Sequence, residues 1–82
     1  MPKKVQLVYT KFCVYCPQTK MIFKQLKEKY NFDYEEIDAE SPEGQKLVQK
    51  FSIMAVPTVI IDDKVQFVGL PNKEKAEAAV KS

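Results

Sequence analysis

Cys13 and Cys16 are the side chains of this sequence best suited to covalent chemistry, and two residues separate them. Thiols at this spacing near the start of a helix lie on one side of its first turn, close enough for their sulfurs to close a small disulfide ring. Such a pair can be oxidised and reduced while the rest of the fold stays in place. The spacing therefore indicates thiol–disulfide exchange.

The two thiols occupy different predicted environments. Cys16 begins an apolar stripe with helical spacing, whose members are Cys16, Thr19, Phe23, Leu26 and Tyr30,. Cys16 should therefore face the core, whereas Cys13 precedes the first turn and should lie at an exposed tip. The free amides at the helix start, the positive end of the helix and the charge of Lys11 all favour the thiolate form of Cys13. We expect Cys13 to attack a disulfide and Cys16 to resolve the product.

Two other uses of a C-x-x-C pair remain open at this point. The pair could be half of a tetrahedral zinc site, but the chain has no further cysteine and no histidine, so carboxylates or a second chain would have to complete it,. It could also be a purely structural disulfide, although closing so small a ring stabilises a fold by only about 2 kcal/mol. A thiolate metal-binding module is therefore the alternative from another functional class.

Val56 and Pro57 lie just before a run of β-branched residues that begins at Thr58. A proline at a strand entry can simply mark the boundary, because it lacks the amide that a ladder needs. A cis Val56–Pro57 peptide would instead turn the Val56 backbone outward beside the cysteines. The residues alone leave both interpretations open.

The elements that must position these residues follow the order βαβαββα. A right-handed crossover makes the first two strands parallel, and a polar turn joins the last two in a hairpin. The predicted fold is α/β, with a four-stranded mixed sheet and three helices in one domain covering residues 1–82. The first predicted strand ends at Thr10, and the other three span residues 32–38, 58–61 and 65–68. Two predicted helices span residues 14–30 and 42–51, and a third follows a cap at Asn72.

Composition excludes several classes of function. At 82 residues the chain is too short for separate cofactor and substrate domains, and its net charge of +2 is spread without a basic stripe, so neither a multidomain enzyme nor a nucleic-acid binder is expected,. The longest nearly apolar stretch, residues 53–61, is far below membrane-spanning length, and no targeting segment is visible. We expect a cytoplasmic protein without a metal or an organic cofactor.

The chain resembles the thioredoxin superfamily over nearly its full length. The matching features are C-x-x-C after the first strand, Val56-Pro57-Thr58 before the third, and Gly69 after the fourth. The resemblance implies a thioredoxin fold and a protein-disulfide reductase that works as a monomer. It also implies that Pro57 is cis and that the Val56 backbone pairs with substrate. Val56, Pro57 and Gly69 are then expected to line the substrate groove, with Lys11 and Tyr15 beside it.

Two branches of this superfamily fit different parts of the chain. The Cys13–Cys16 motif, Lys11 and the short chain resemble a glutaredoxin, which would use glutathione as reductant, whereas residues 51–69 are more similar to small archaeal-type thioredoxins, which a flavoprotein reductase would recycle. Gly69 is followed by Leu70-Pro71-Asn72 rather than by the second glycine and acid that glutaredoxins usually carry. Phe12 replaces the tryptophan of ordinary thioredoxins, and Leu7 replaces their buried acid. The expected substrates are protein disulfides in either case.

Overall fold

The computed structural model describes residues 3–81 and follows the predicted βαβαββα order. Its four strands form one mixed sheet in the order β2-β1-β3-β4, with β1 parallel to β2 and antiparallel to β3, and β3 antiparallel to β4. The predicted fold class is confirmed. The elements are β1 Lys4–Tyr9, α1 Cys16–Lys29, β2 Asp33–Asp38, α2 Pro42–Phe51, β3 Thr58–Ile61, β4 Lys64–Val68 and α3 Lys73–Lys81.

Helix α1 buries the face that the periodicity predicts. Cys16, Thr19, Phe23 and Leu26 are its buried residues, and Tyr30, just past the helix, packs against the core as a partly buried side chain. The core beneath them is built by apolar residues of β1, β3 and α3, which are Val5, Leu7, Val59, Ile61, Ala76 and Val80. Because a helix presents every third or fourth residue to the same side, this stripe determines which face of α1 packs on the sheet.

The start of α1 differs from the prediction, which placed it at residue 14. The helix begins at Cys16, with Tyr15 as its N-cap residue and Pro17 within its first turn. The amide of Cys13 bonds back to the carbonyl oxygen of Thr10 at 3.3 Å, so a separate turn uses this backbone before the helix can begin. The end is also one residue earlier than predicted, because Tyr30 adopts an extended conformation.

The other two helices begin at the predicted caps. The hydroxyl of Ser41 accepts a hydrogen bond from the amide of Gly44 at 3.0 Å, and Pro42 follows in the first turn of α2,. The side-chain oxygen of Asn72 accepts from the amide of Glu74 at 2.8 Å at the start of α3. Local side-chain chemistry thus sets both starting points. Within the described residues, no helix is long and apolar enough to cross a membrane.

The β3–β4 hairpin is tighter than the predicted three-residue turn. Only Asp62 and Asp63 separate the strands, both with positive φ, and Lys64 already belongs to β4. Asp and Asn tolerate this left-handed region better than most residues, which is why a turn without glycine can form here. A register shift between Val59 and Ile60 marks a β-bulge in the pairing of these two strands,.

Candidate active site

Strand pairing brings three loops to one end of the sheet. Val8, near the end of β1, pairs with Thr58 at the start of β3, and Thr58 pairs in turn with Val68 at the end of β4. The residues just beyond these positions must therefore lie close together. They belong to the loops of residues 10–15, 52–57 and 69–72, which contain every site residue that the sequence predicts except Cys16, the first residue of α1.

Cys13 and Cys16 form a disulfide in this structure, with a Cα–Cα distance of 5.4 Å. Cys16 is the first residue of α1 and is only 2% exposed, because it begins the stripe that packs on the sheet. Cys13 precedes the helix and is partly exposed rather than lying at a fully exposed tip. Solvent and a second molecule can therefore reach Cys13, whereas Cys16 is shielded.

The backbone around Cys13 provides a favourable environment for negative charge. Within residues 3–81, no hydrogen-bond acceptor is seen for the amides of Val14, Tyr15 and Cys16, which lie at the positive end of α1,. The first turn of α1 carries no acidic residue. Lys11 is exposed and lies in the Thr10–Cys13 turn, so it adds a positive charge on the same loop. These features support the thiolate form of Cys13 when the disulfide is reduced.

A backbone hydrogen bond joins Pro57, in the loop of residues 52–57, to Gly69, in the loop of residues 69–72. The Val56–Pro57 peptide is cis, as the family resemblance implied. Pro57 is buried and its carbonyl oxygen accepts a hydrogen bond from the Gly69 amide at 2.7 Å. Gly69 has a φ of 85°, a conformation that side chains other than glycine rarely adopt, which explains a glycine directly after β4,.

Val56 is partly exposed, and its backbone is available for pairing. Among the described residues, neither the amide nor the carbonyl group of Val56 makes a hydrogen bond. The neighbouring carbonyl groups, by contrast, are both engaged: that of Ala55 accepts from the Thr58 hydroxyl at 2.6 Å and that of Pro57 accepts from Gly69. An extended peptide laid beside Val56 could therefore gain backbone hydrogen bonds without displacing internal ones.

Exposed apolar side chains surround this end of the sheet. Of the eight exposed large hydrophobic residues among residues 3–81, six lie on the three loops or at the end of β4, and Phe12 and Met54 are the most exposed, at 92% and 96%. A concentration of this kind on a small protein indicates an interaction surface. We call these six residues the apolar patch; they are Phe12, Val14, Tyr15, Met54, Val68 and Leu70.

Sequence reasoning found the chemical groups of the site but missed most of the apolar patch. Tyr15 was predicted as a contact residue, and it is 54% exposed at the helix cap. The sequence predicts no contact role for the side chains of Phe12 and Val14, which are 92% and 80% exposed. The available signal was that these apolar residues fall outside the helical and strand stripes, although exposure itself depends on the folded structure.

Among residues 3–81, no carboxylate side chain is buried. Leu7 is fully buried in β1, and the buried polar residues of the described chain are Gln6, Thr19 and Thr58, none of which ionises in the ordinary pH range. Within residues 3–81 there is also no group of three or more cysteine, aspartate or glutamate side chains placed to hold a metal ion. Cys13 and Cys16 are thus the side chains at this site with redox chemistry.

A Cys13–Cys16 disulfide at the start of a helix, on a four-stranded mixed sheet beside a cis-proline loop, defines a thiol–disulfide oxidoreductase with the thioredoxin fold. The chain belongs to the thioredoxin-domain family, whose model matches residues 3–81.

Individual relatives agree with this placement. A thioredoxin from Methanocaldococcus jannaschii is 30% identical over 78 residues, which cover 95% of this chain and 92% of that protein. A solved thioredoxin from Schistosoma mansoni is 26% identical with a TM-score of 0.80, covering 98% of this chain and 77% of that one. A thioredoxin mutant from Halobacterium salinarum is 20% identical with a TM-score of 0.80, covering 96% and 72%, and shows the shared fold.

Proposed function

We propose that this protein reduces disulfide bonds of other proteins, using Cys13 as nucleophile and Cys16 as resolving thiol. The observation that carries the proposal is the unequal placement of the two sulfurs beside the apolar patch and the unpaired Val56 backbone. A partly exposed thiol at the positive end of a helix is suited to attack, and a shielded neighbour is suited to resolve.

The reaction begins from the reduced dithiol. The Cys13 thiolate attacks one sulfur of a substrate disulfide, forming a mixed disulfide and releasing the other substrate sulfur as a thiolate. Cys16 then loses its proton and attacks the Cys13 sulfur, which releases the second substrate thiolate and leaves the Cys13–Cys16 disulfide. Two electrons pass from the protein to the substrate, and the substrate thiolates take up two protons. The short Cα–Cα distance lets the second step occur without rearrangement of the backbone,.

Substrate binding is assigned to the end of the sheet that carries the three loops. An extended substrate segment would pair with the Val56 backbone and lie in the groove formed with Pro57 and Gly69, while the apolar patch would contact its side chains. Lys11 and Tyr15 border the same surface on the cysteine loop. This arrangement suits an unfolded or flexible protein segment better than a compact charged ligand, because six of the exposed side chains are apolar.

The proposed electron donor is a thioredoxin reductase-like flavoprotein. The four related curated proteins with similar sequences are thioredoxins or probable thioredoxins. After Gly69 the chain continues with Leu70 and Pro71, so the second glycine and the acid expected of a glutathione-binding turn are missing. We further propose that the protein acts as a monomer in the cytoplasm. In this proposal it needs no metal or organic cofactor, because two sulfurs suffice for the exchange.

Two cysteine variants test the catalytic roles. Cys13→Ser should abolish reduction of a protein disulfide such as those of insulin, because serine cannot form the mixed disulfide. Cys16→Ser should accumulate a covalent protein–substrate adduct, visible by mass spectrometry and lost on addition of dithiothreitol. An active Cys13→Ser protein would reverse the assignment of the nucleophile.

A recycling assay separates the two possible donors. The oxidised protein is incubated with insulin as the disulfide substrate and either NADPH with a thioredoxin reductase or NADPH with glutathione and glutathione reductase, and NADPH consumption is followed in each. We expect turnover with the flavoprotein reductase alone. Turnover only with glutathione, together with an active Cys16→Ser variant on glutathionylated substrates, would instead make the protein a glutaredoxin. Stoichiometric metal in reduced protein without disulfide reductase activity would favour a metal-binding module.

A further inference from the structure

Two of the three buried polar side chains of the described chain donate to carbonyl groups of the active-site loops. Thr19 and Thr58 are 0% and 1% exposed, and each hydroxyl donates to a main-chain oxygen. Thr19 bonds to Tyr15 on the cysteine loop at 2.9 Å, and Thr58 bonds to Ala55 on the cis-proline loop at 2.6 Å. Buried hydroxyls are costly unless bonded, and each of these two is satisfied by a carbonyl oxygen.

The two hydrogen bonds differ in how far the accepting carbonyl group depends on the hydroxyl for its position. The Tyr15 carbonyl also accepts from the Thr19 amide at 3.1 Å, so its position is maintained even without the Thr19 hydroxyl. Among residues 3–81, the Thr58 hydroxyl is the donor seen for the Ala55 carbonyl. Removal of the Thr58 hydroxyl would therefore release Ala55, whereas removal of the Thr19 hydroxyl would leave Tyr15 in place.

The hydrogen bond from the Thr58 hydroxyl also fixes the carbonyl group on one side of Val56, the residue proposed to pair with substrate. The carbonyl groups of Ala55 and Pro57 lie on either side of Val56, and each is fixed, the first by the Thr58 hydroxyl and the second by the Gly69 amide. Between these two carbonyl groups, the amide and carbonyl groups of Val56 have no hydrogen-bond partner among the described residues. A peptide segment fixed at both ends presents its central groups in one orientation, which lowers the entropy lost when a partner binds.

We propose that Thr58 is a positioning residue for protein substrates. Its hydroxyl holds Ala55 so that the Val56 amide and carbonyl groups point toward the incoming chain. This inference rests on the proposed function, since it assumes that substrate pairs with the Val56 backbone. Thr58 is buried at the start of β3, and its hydroxyl bonds to Ala55 rather than to a cysteine sulfur among residues 3–81, so it affects binding of an extended substrate and not the exchange itself.

The test compares a protein disulfide with a small one that cannot use the Val56 backbone. Thr58→Val keeps the β-branched shape in β3 and removes only the hydroxyl. We expect its kcat/KM for insulin to fall about five- to tenfold, mainly through a higher KM, as loss of a positioning hydrogen bond predicts. Reduction of the aromatic disulfide DTNB should change less than about twofold, because the sulfur chemistry is intact.

Matched variants complete the design. Thr19→Val makes the same change at an equally buried site and should match the wild type on both substrates. Thr58→Ser retains the hydroxyl and should restore insulin reduction. If Thr58→Val fails to fold, Thr58→Ala against Thr58→Ser gives the same comparison of hydroxyl-free and hydroxyl-bearing proteins.

The outcomes separate this inference from the proposed function. A wild-type protein that cannot reduce insulin would overturn the proposed function. Active wild type together with unchanged insulin kinetics in the hydroxyl-free Thr58 variant would overturn the positioning role alone. Parallel losses on insulin and DTNB would also overturn it, because they would show general damage to the site.

Discussion

Gly44 in helix α2 provides a test in which helix propensity and tertiary structure predict opposite effects of Gly44→Ala on the stability of the fold. Glycine destabilises a helix by about 1 kcal/mol relative to alanine, so propensity alone makes Gly44→Ala stabilising. In the structure Gly44 is buried against the turn that precedes its own helix. A Cβ atom at this position would lie 2.7 Å from the carbonyl carbon of Asp38 and 2.8 Å from the Cα of Ala39, and closer still to the Asp38 oxygen.

The size of the effect follows from these contacts. Carbon atoms pack at about 3.5 Å or more, so α2 would have to withdraw by at least about 0.8 Å, and further to clear the Asp38 oxygen, from a backbone that cannot yield like a side chain,. Such overpacking costs about 1–3 kcal/mol, and weakening the cap from Ser41 to the Gly44 amide costs about 1 kcal/mol more. After subtracting the gain of about 1 kcal/mol in helix propensity, Gly44→Ala should destabilise the fold by roughly 1–3 kcal/mol.

Urea unfolding followed by circular dichroism measures this change. For an m-value of about 1.5 kcal/mol/M the midpoint should fall by about 0.7–2 M. Gln49→Ala, at an exposed position of the same helix, is the control and should leave the midpoint nearly unchanged,. A Gly44→Ala protein as stable as the wild type, or more stable, would refute the steric reasoning.

Two further predictions concern ionisable groups. Burial and a hydrogen bond to Glu36 at 2.9 Å raise the pKa of Tyr34 above its ordinary value of 10, so above pH 10 the folded chain binds more protons than the unfolded chain and stability falls as pH rises,. Wild type should therefore lose more urea resistance than Tyr34→Phe between about pH 8 and pH 11, and equal losses would contradict this origin. In reduced protein at neutral pH, iodoacetamide should modify Cys13 before Cys16 and faster than free cysteine; peptide mass spectrometry showing equal rates at both thiols would refute the predicted asymmetry.

Local features of the fold could be predicted from short stretches of sequence. The spacing from Cys16 to Leu26 predicted the buried face of α1, the order Ser41-Pro42 predicted the start of α2, and the run from Thr58 predicted β3. Each signal depends on neighbours within one or two turns of chain, so periodicity and capping chemistry suffice to interpret it. The start of α1 was wrong by two residues because the Thr10–Cys13 turn competes for the same backbone.

The cis Val56–Pro57 peptide could be predicted only in part. Proline at that position left both isomers open by the residues alone, and only the family resemblance favoured the cis form that the structure contains,. The carbonyl oxygen of Pro57 accepts a hydrogen bond from the Gly69 amide, which lies 12 residues further along the chain. A local pattern carries no information about such a contact.

The thiol pair, the order of the elements and the stripe that buries Cys16 can be predicted from the chain, because these features follow from residue types at short spacing. The packed fold is needed to show that the cysteine loop, the cis-proline loop and Gly69 share one end of the sheet. It also shows that Thr58 reaches Ala55 and that Gly44 has no room for a side chain. The physical reason is that these relations depend on the register between strands far apart in sequence, which is set by packing of the whole core.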